Sequence, residues 1–195
     1  MPYEGNCINK PDIYIESYMV IISLGSNVTG DSEFSSQAIH AACNQLKSFS
    51  IRILDSSRFY LTEPYGVTDQ PAFTNSAILI QTSLSPHNLL TLIKRIEAIA
   101  GRRPAKRWTA RIIDLDIIDY KGLALNYVKD CHTDFTNYAS RLILPHPGIA
   151  DRPFVLQPIM DIAPFWHHPV NGLTAAQMLK RLPRNAPGRI LRALD

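Results

Sequence analysis

The segment 107–116 places a tryptophan, two arginines and two aspartates close together, where a basic stretch meets an apolar run. Residues 112–120 are short and rich in isoleucine, which predicts a buried strand. Side chains two apart on a strand point to the same side, so Asp114 and Asp116 would project together. Two carboxylates held this close repel each other unless a cation lies nearby. The spacing therefore indicates a cation site.

Magnesium fits such a site, because Mg²⁺ commonly takes one or two protein carboxylates and completes its shell with water and substrate phosphates. Positive charge for phosphates lies just upstream. It is carried by Arg102, Arg103, Lys106, Arg107 and Arg111. An Asp-x-Asp pair alone usually marks a solvated strand end. With these arginines and Trp108 beside it, the pair favours a phosphate and metal site.

Length and composition indicate one folded domain. The chain has 195 residues, 46% of them hydrophobic and 19% charged, which is enough apolar material for a core. The net charge of +3 is mild, and its concentration near residues 102–111 suits a small anionic ligand better than a nucleic-acid backbone. We expect residues 18–182 to form the domain, with an N-terminal tail (1–17), a surface insertion (121–141) and a basic, mobile C-terminal tail (183–195).

The compartment is predicted from cysteine usage and hydropathy. Cys7, Cys43 and Cys131 show no paired or metal-ligand spacing, which is typical of a reducing cytosol. No run is long enough to span a membrane, and the first twenty residues lack the pattern of a signal peptide. We therefore expect a cytoplasmic protein without a membrane partner.

The remaining pattern alternates strands and helices. A buried strand from residue 18 to 24 precedes the turn Gly25-Ser26-Asn27, and a helix with a Ser85 cap runs to Gly101. The strand 73–81 places Phe73 and Asn75 on one face, a pair able to hold a flat heterocycle. A core ring beside a strand-end amide explains that segment as well, and the segment alone favours this simpler interpretation.

Taken together, these segments resemble the 6-hydroxymethyl-7,8-dihydropterin pyrophosphokinase family of folate biosynthesis, over roughly residues 18 to 180. The resemblance rests on motifs that occur in a fixed order. They are Gly25-Ser26-Asn27, Ser57-Arg58-Phe59-Tyr60, Thr62-Glu63-Pro64, Asp69-Gln70-Pro71-Ala72-Phe73-Thr74-Asn75, Gly101-Arg102-Arg103, Arg107-Trp108-Thr109-Ala110-Arg111, Asp114-Leu115-Asp116, Pro145-His146-Pro147 and Arg152-Pro153-Phe154.

The resemblance implies a ferredoxin-like α+β sandwich, mainly an antiparallel sheet with helices packed on it, and mobile active-site loops. It also implies transfer of the diphosphate of ATP to the pterin hydroxymethyl group, with release of AMP and with two Mg²⁺ ions per site. The partners would be these small molecules alone, without nucleic acid, and we expect a monomer.

By the same resemblance, each site residue has an expected role. The catalytic set would be Arg102, Arg111, Asp114 and Asp116, with both aspartates as metal ligands. Pterin would be bound by Thr62, Tyr65, Phe73, Asn75 and Phe154. ATP would be bound by Glu97, Trp108, Arg111, His146 and Arg152, with Arg102 and Trp108 on a closing loop.

The chain departs from the family pattern at two points. Thr109-Ala110 stands where relatives often have Gly-Pro, which puts the hinge of that loop in question. Gly148 and Ala150 stand where relatives often carry polar or basic residues, which puts one phosphate contact in question. Neither departure affects the carboxylate pair.

Two other function classes remain open from the residues. A ferredoxin-like RNA-binding module would stack bases on strand aromatics such as Phe59, Tyr60 and Phe73. A metal-dependent nucleotidyl or glycosyl transferase would also use Asp-x-Asp to hold a metal-bound diphosphate. At 195 residues, we expect no second folate enzyme of ordinary domain size in the chain.

Overall fold

The computed structural model describes residues 19–49, 51–66, 69–101, 112–127 and 142–194. The predicted N-terminal tail (1–17) and most of the predicted insertion lie outside these residues.

The described residues form one six-stranded sheet in which every strand pairing is antiparallel. Its strands are β1 (Val20–Ser26), β2 (Arg52–Ser56), β3 (Phe59–Thr62), β4 (Phe73–Gln81), β5 (Asp114–Tyr120) and β6 (Ile190–Leu194). The order across the sheet is β5-β1-β4-β3-β6, and β2 also pairs with β4. The sequence of residues 51–60 is β-prone throughout, but Ser57 and Arg58 divide it into β2 and β3.

Helices cover the sheet on both sides. They are α1 (Ser32–Ser48), α2 (Pro86–Ile99), α3 (Pro153–Ile162) and α4 (Ala175–Arg181). Local sequence explains the starts of three of them. The Asp31 side chain accepts a hydrogen bond at the start of α1, Ser85 and Pro86 begin α2, and Thr174 forms a capping box with Gln177 at α4.

Two apolar cores explain why β1 is buried along its whole length. Ile22, Leu24 and Leu115 belong to the core under α1 and α2. On the opposite face, Ile21 and Leu79 belong to the core under α3 and α4. The sheet is therefore the middle layer of three, and the element order from β1 to β5 is ferredoxin-like. The predicted α+β sandwich is confirmed.

The C-terminal end differs from the prediction. Residues 190–194 form β6, which pairs with β3 at the edge of the sheet, so the expectation of a mobile tail is wrong for these residues. The exposed edge of β3 offers backbone donors and acceptors that a short, weakly apolar segment can satisfy. That pairing is a tertiary effect, which residues 183–195 do not reveal by themselves.

The predicted insertion has anchored ends. It begins with a tight turn at Lys121 and Gly122, both of which have positive φ. Leu125 then forms a bridge with Leu144, and the Asn126 amide donates a hydrogen bond to the Leu142 carbonyl over 2.9 Å. These contacts return the chain to the sheet just before His146, whose backbone N–H donates to the Ile118 carbonyl.

Candidate active site

The carboxylate pair lies on β5 as the sequence predicts. Along this strand the half-exposed Asp114 and Asp116 alternate with the buried Leu115 and Ile117. Leu115 packs into the core under α1 and α2, so both aspartates face the side of the sheet that carries α3 and α4. The prediction that they share one face is confirmed.

Gly25 lies between the carboxylate strand and the amide strand. It pairs with Asp114 on one side and with Asn75 on the other. A Cβ atom added to Gly25 would lie 2.8 Å from the Asn75 Oδ1 atom, which is too close for a real contact. Gly25 therefore makes room for the amide. The turn predicted at Gly25 and Ser26 is corrected, because both residues belong to β1, and the sequence gives no indication of the space that Gly25 provides.

The Asn75 amide has a fixed orientation. Asn75 and Thr62 are buried, and Asn75 Nδ2 donates a hydrogen bond to Thr62 Oγ1 over 2.8 Å. Phe73 lies two residues earlier on β4 and is half-buried, so its ring projects from the same face as the amide. The structure thus brings together the aromatic and amide residues that the sequence pairs.

His146 lies next to the carboxylates. Its Nε2 atom is 3.9 Å from Asp116 Oδ2, and its Nδ1 atom accepts a hydrogen bond from the Gly148 N–H over 3.1 Å. Burial lowers the pKa of His146 to about 4, and the charge of Asp116 offsets only part of that effect. The imidazole is therefore neutral at pH 7. Because Nδ1 accepts, Nε2 carries the proton and faces Asp116.

Arg152 is held at the start of α3 by its neighbours. Its guanidinium carbon lies 5.3 Å from the centre of the Tyr65 ring, and Tyr65 in turn meets Phe154 edge-on at 5.6 Å between ring centres. A Cβ atom added to Gly148 would lie 2.8 Å from Arg152 Nε. From the sequence, Gly148 puts one phosphate contact in question. In the structure, the absence of a side chain at Gly148 leaves space for this guanidinium.

The Nε atom of Arg152 is buried and has no hydrogen-bond partner among the described residues. A buried, unsatisfied donor on a permanent cation is costly. An anionic ligand would satisfy it, and phosphate oxygens suit guanidinium donors well.

Glu97 has a contact that the sequence does not predict. Its side chain is fully buried in the last turn of α2, where it accepts a hydrogen bond from the Leu115 N–H over 2.9 Å and pairs with Lys94 at 3.1 Å. The carboxylate therefore holds the backbone between Asp114 and Asp116. Its expected contact with ATP stays a prediction.

Three expected site residues, Arg102, Trp108 and Arg111, lie outside the described residues. Their predicted roles in closing over ATP therefore stay predictions.

The aromatic residues of β3 do not form the platform of an RNA-binding sheet. Tyr60 is 3% exposed, and its hydroxyl donates to the Asp161 carboxylate of α3 over 2.8 Å. Phe59 is half-buried and meets the His40 ring of α1 edge-on at 5.2 Å. Both rings are thus packed beneath helices, on opposite faces of the sheet. Base stacking needs exposed ring faces, so these contacts argue against the RNA-binding alternative.

The donor chemistry of the carboxylate pair fits Mg²⁺, a hard cation that protein carboxylates, water and phosphates together satisfy. In the described parts of the chain, no group of three or more His, Cys, Asp or Glu residues is placed to hold a metal ion. Asp114 and Asp116 alone would therefore leave most positions on the ion to water and substrate. This arrangement is typical of Mg²⁺ and not of a closed structural zinc site.

The fold and the site together define the class of protein. It is a ferredoxin-like α+β domain whose sheet carries a carboxylate pair suited to a divalent cation, with an aromatic and amide pair nearby on the same face. Residues 21–164 match the family described as 7,8-dihydro-6-hydroxymethylpterin-pyrophosphokinase (HPPK). The chain belongs to this family.

Named relatives agree with this assignment. The 2-amino-4-hydroxy-6-hydroxymethyldihydropteridine pyrophosphokinase of Methylorubrum extorquens is 34% identical over 170 residues, covering 87% of this chain and 96% of the relative. The folic acid synthesis protein fol1 of Pneumocystis carinii is also 34% identical, over 92% of this chain. The chain spans only 22% of that longer protein.

Solved structures share the fold. A crystal structure of Plasmodium falciparum HPPK-DHPS superposes with a TM-score of 0.64 at 16% identity, covering 88% of this chain and 47% of that one. Among the described residues, no helix is both long and apolar enough to cross a membrane.

Proposed function

We propose that the chain transfers the diphosphate of ATP to 6-hydroxymethyl-7,8-dihydropterin in folate biosynthesis. The hydroxymethyl oxygen forms a bond to the β-phosphorus, and the bond from that phosphorus to the oxygen of the α-phosphate breaks. AMP leaves, the hydroxyl proton is released, and the product is the pterin diphosphate. Such a transfer is catalysed mainly by positioning and electrostatics.

The observation that carries the proposal is the pairing of Gly25 with both Asp114 and Asn75. Adjacent strands lie about 4.8 Å apart, so the backbones of these two partners are roughly 10 Å apart on one face of the sheet. A phosphate site at Asp114 and a pterin site at Asn75 would then be close enough for one substrate to attack the other. The fixed register of three strands sets this distance.

Asp114 and Asp116 would hold Mg²⁺, and we propose two ions per site. When bound, these ions neutralise the charge of the phosphates and hold them for in-line displacement. The neutral His146 leaves the negative charge of Asp116 available, because an uncharged imidazole does not form an ion pair with it. Its Nε2–H can donate a hydrogen bond to a carboxylate or phosphate oxygen.

Arg152 would bind a phosphate through its buried, unsatisfied Nε–H. Its contacts with Tyr65 and Gly148 fix the guanidinium in advance, which reduces the entropy lost on binding. Residues outside the described ranges, Arg102, Trp108 and Arg111, would complete the ATP site as the family resemblance implies. By the same resemblance, Glu97 would also take part in binding ATP.

The pterin would lie between Phe73 and Phe154. Asn75 would recognise its polar edge, helped by the backbone near Thr62 and Tyr65. The hydrogen bond from Asn75 to Thr62 supports this role, because a fixed amide distinguishes a donor edge from an acceptor edge.

The test is an assay with ATP, Mg²⁺ and 6-hydroxymethyl-7,8-dihydropterin, followed by separation of the nucleotides. We expect AMP and pterin diphosphate in equal amounts, and no AMP when the pterin is left out. Formation of ADP in place of AMP, or no turnover at all, would overturn the proposal. We also propose that the protein is a cytoplasmic monomer, and light scattering of the purified chain tests its oligomeric state.

A further inference from the structure

The C-terminal segment lies against Tyr65 and Phe154, two residues of the proposed pterin site. The Arg189 carbonyl accepts a hydrogen bond from the Glu63 N–H over 2.9 Å, and the Arg189 and Glu63 side chains form an ion pair at 2.6 Å. Directly after this point, β6 pairs with β3. These contacts fix the backbone of Gly188, the residue before Arg189, against the pocket.

Gly188 meets the ring of Phe154. A Cβ atom added to Gly188 would lie 2.5 Å from Phe154 Cδ1 and 2.7 Å from Phe154 Cε1. It would also lie 3.4 Å from Tyr65 Cδ2. Gly188 is buried, whereas Phe154 is only half-buried. The glycine backbone therefore covers part of the aromatic ring.

Gly188 also has a φ of +75°, in the left-handed region that glycine adopts easily. Turn geometry alone would explain a glycine here, as it does at Gly172, where φ is +69° and an added Cβ atom would meet nothing within 4 Å. The steric contact with Phe154 is therefore a property separate from the turn. It distinguishes Gly188 from a glycine that serves its turn only.

We propose that Gly188 is a positioning residue that sets the Phe154 ring, and through it the affinity of the enzyme for the pterin. The inference rests on the proposed function, since it assigns Phe154 to the pterin site. Any side chain at position 188 must push the ring by roughly 1 Å to restore normal contact distances, because packed side chains leave no slack. A displaced ring would no longer hold the position from which it would contact the pterin.

The experiment compares Gly188→Ala with Gly172→Ala. The two alanines carry nearly the same backbone strain, so Gly172→Ala controls for that strain, and Gly188→Ala should lose more thermal stability because its Cβ atom also presses on the Phe154 ring. In the Gly188→Ala protein alone, we expect the KM for 6-hydroxymethyl-7,8-dihydropterin to rise about tenfold or more. The KM for ATP should change less than twofold, and kcat should fall much less than kcat/KM for the pterin.

A second variant separates strain from contact. Asparagine tolerates positive φ better than alanine does, so Gly188→Asn should carry less backbone strain than Gly188→Ala and still displace the ring. Calorimetric titration with 6-hydroxymethylpterin, which needs no turnover, should show the same weakened binding in both Gly188 variants. Gly172→Ala should bind this probe as the wild type does.

The outcomes are distinct for the two proposals. If the wild type forms AMP and binds 6-hydroxymethylpterin, but both Gly188 variants bind it equally well, the positioning role is wrong and the proposed function stands. If the ATP and pterin KM values rise together, the effect is a general loss of structure and the role is again wrong. If the wild type itself neither binds the probe nor forms AMP, the proposed function fails first.

Discussion

The buried carboxylate of Glu97 accepts a hydrogen bond of 2.9 Å from the backbone N–H of Leu115. Leu115 separates Asp114 from Asp116, so this bond fixes the strand at the point where both carboxylates project. Glu97 also pairs with Lys94, whose side chain is 44% exposed. The lysine offsets the charge of a carboxylate that is only 1% exposed, and the bond to Leu115 ties that carboxylate to the strand.

Replacing Glu97 by alanine should reduce both stability and metal response. The Leu115 N–H would be left buried without this acceptor, which costs about 1–3 kcal/mol of unfolding free energy. The loosened strand should also raise the Mg²⁺ concentration needed for half-maximal AMP formation. Urea unfolding and a Mg²⁺ titration measure the two effects.

Glu97→Gln is the matched control, because glutamine keeps a carbonyl oxygen for the Leu115 N–H. We expect it to retain most of the stability that alanine loses. Equal stability of the alanine variant and the wild type would show that the bond does not hold the strand.

Asp116→Ala should abolish turnover while leaving the fold intact. The Asp116 side chain is 34% exposed, so its removal creates no buried cavity, and it relieves repulsion with Asp114. We expect AMP formation to fall at least a hundredfold, in line with the loss of a main electrostatic contact. The unfolding temperature measured without metal should be unchanged or slightly higher.

The exposed Asp55 gives a control carboxylate, and Asp55→Ala should keep full activity. In the wild type, Mg²⁺ with ATP should raise the unfolding temperature by mass action, and Asp116→Ala should lose most of this shift. Near-normal turnover of the Asp116 variant would contradict the metal role.

Sequence predicts the parts of this site that depend on local pattern. The alternation of Asp114, Leu115 and Asp116 sets one face of a strand, and the Ser85-Pro86 pair marks the start of α2. Both are consequences of backbone periodicity or of capping within a few residues.

Contacts between residues that are far apart in the sequence cannot be predicted from local pattern. Glu97 meets Leu115 across 18 residues, and Gly188 meets Phe154 only because β6 adds to the edge of β3. Residues 190–194 have a weak alternation, so their strand depends on a partner that the local sequence does not show. The sequence likewise does not show which neighbouring side chain a glycine makes room for, as Gly25 and Gly148 illustrate.

Thr62→Val should weaken pterin binding selectively. Valine has nearly the shape of threonine but cannot accept the hydrogen bond from Asn75, so the amide loses its anchor. One such bond contributes about 1 kcal/mol, which corresponds to a roughly fivefold rise in the pterin KM. Steady-state kinetics with each substrate varied in turn should show an unchanged KM for ATP.

Thr62→Ser keeps the hydroxyl and should behave nearly as the wild type does. A rise in both KM values for the valine variant would place Thr62 outside the pterin site.

His168 makes stability depend on pH. Its ring is 2% exposed, and its Nδ1 atom accepts hydrogen bonds from the N–H groups of Val170 and Asn171. Burial lowers the pKa of His168 below its ordinary value. As the pH falls below about 6.5, the unfolded chain therefore takes up a proton before the folded protein does. Stability is full above that pH and is lost as the pH falls towards the folded pKa.

His168→Asn should remove this loss, because the asparagine Oδ1 atom can accept the same hydrogen bonds and does not titrate. Urea unfolding between pH 7.5 and 5.5 should give a shallower decline for the variant, by up to about 1.4 kcal/mol per pH unit. The neighbouring His167 is exposed, so His167→Asn should keep the wild-type slope. If His168→Asn declines as steeply as the wild type, a group other than this imidazole causes the acid sensitivity.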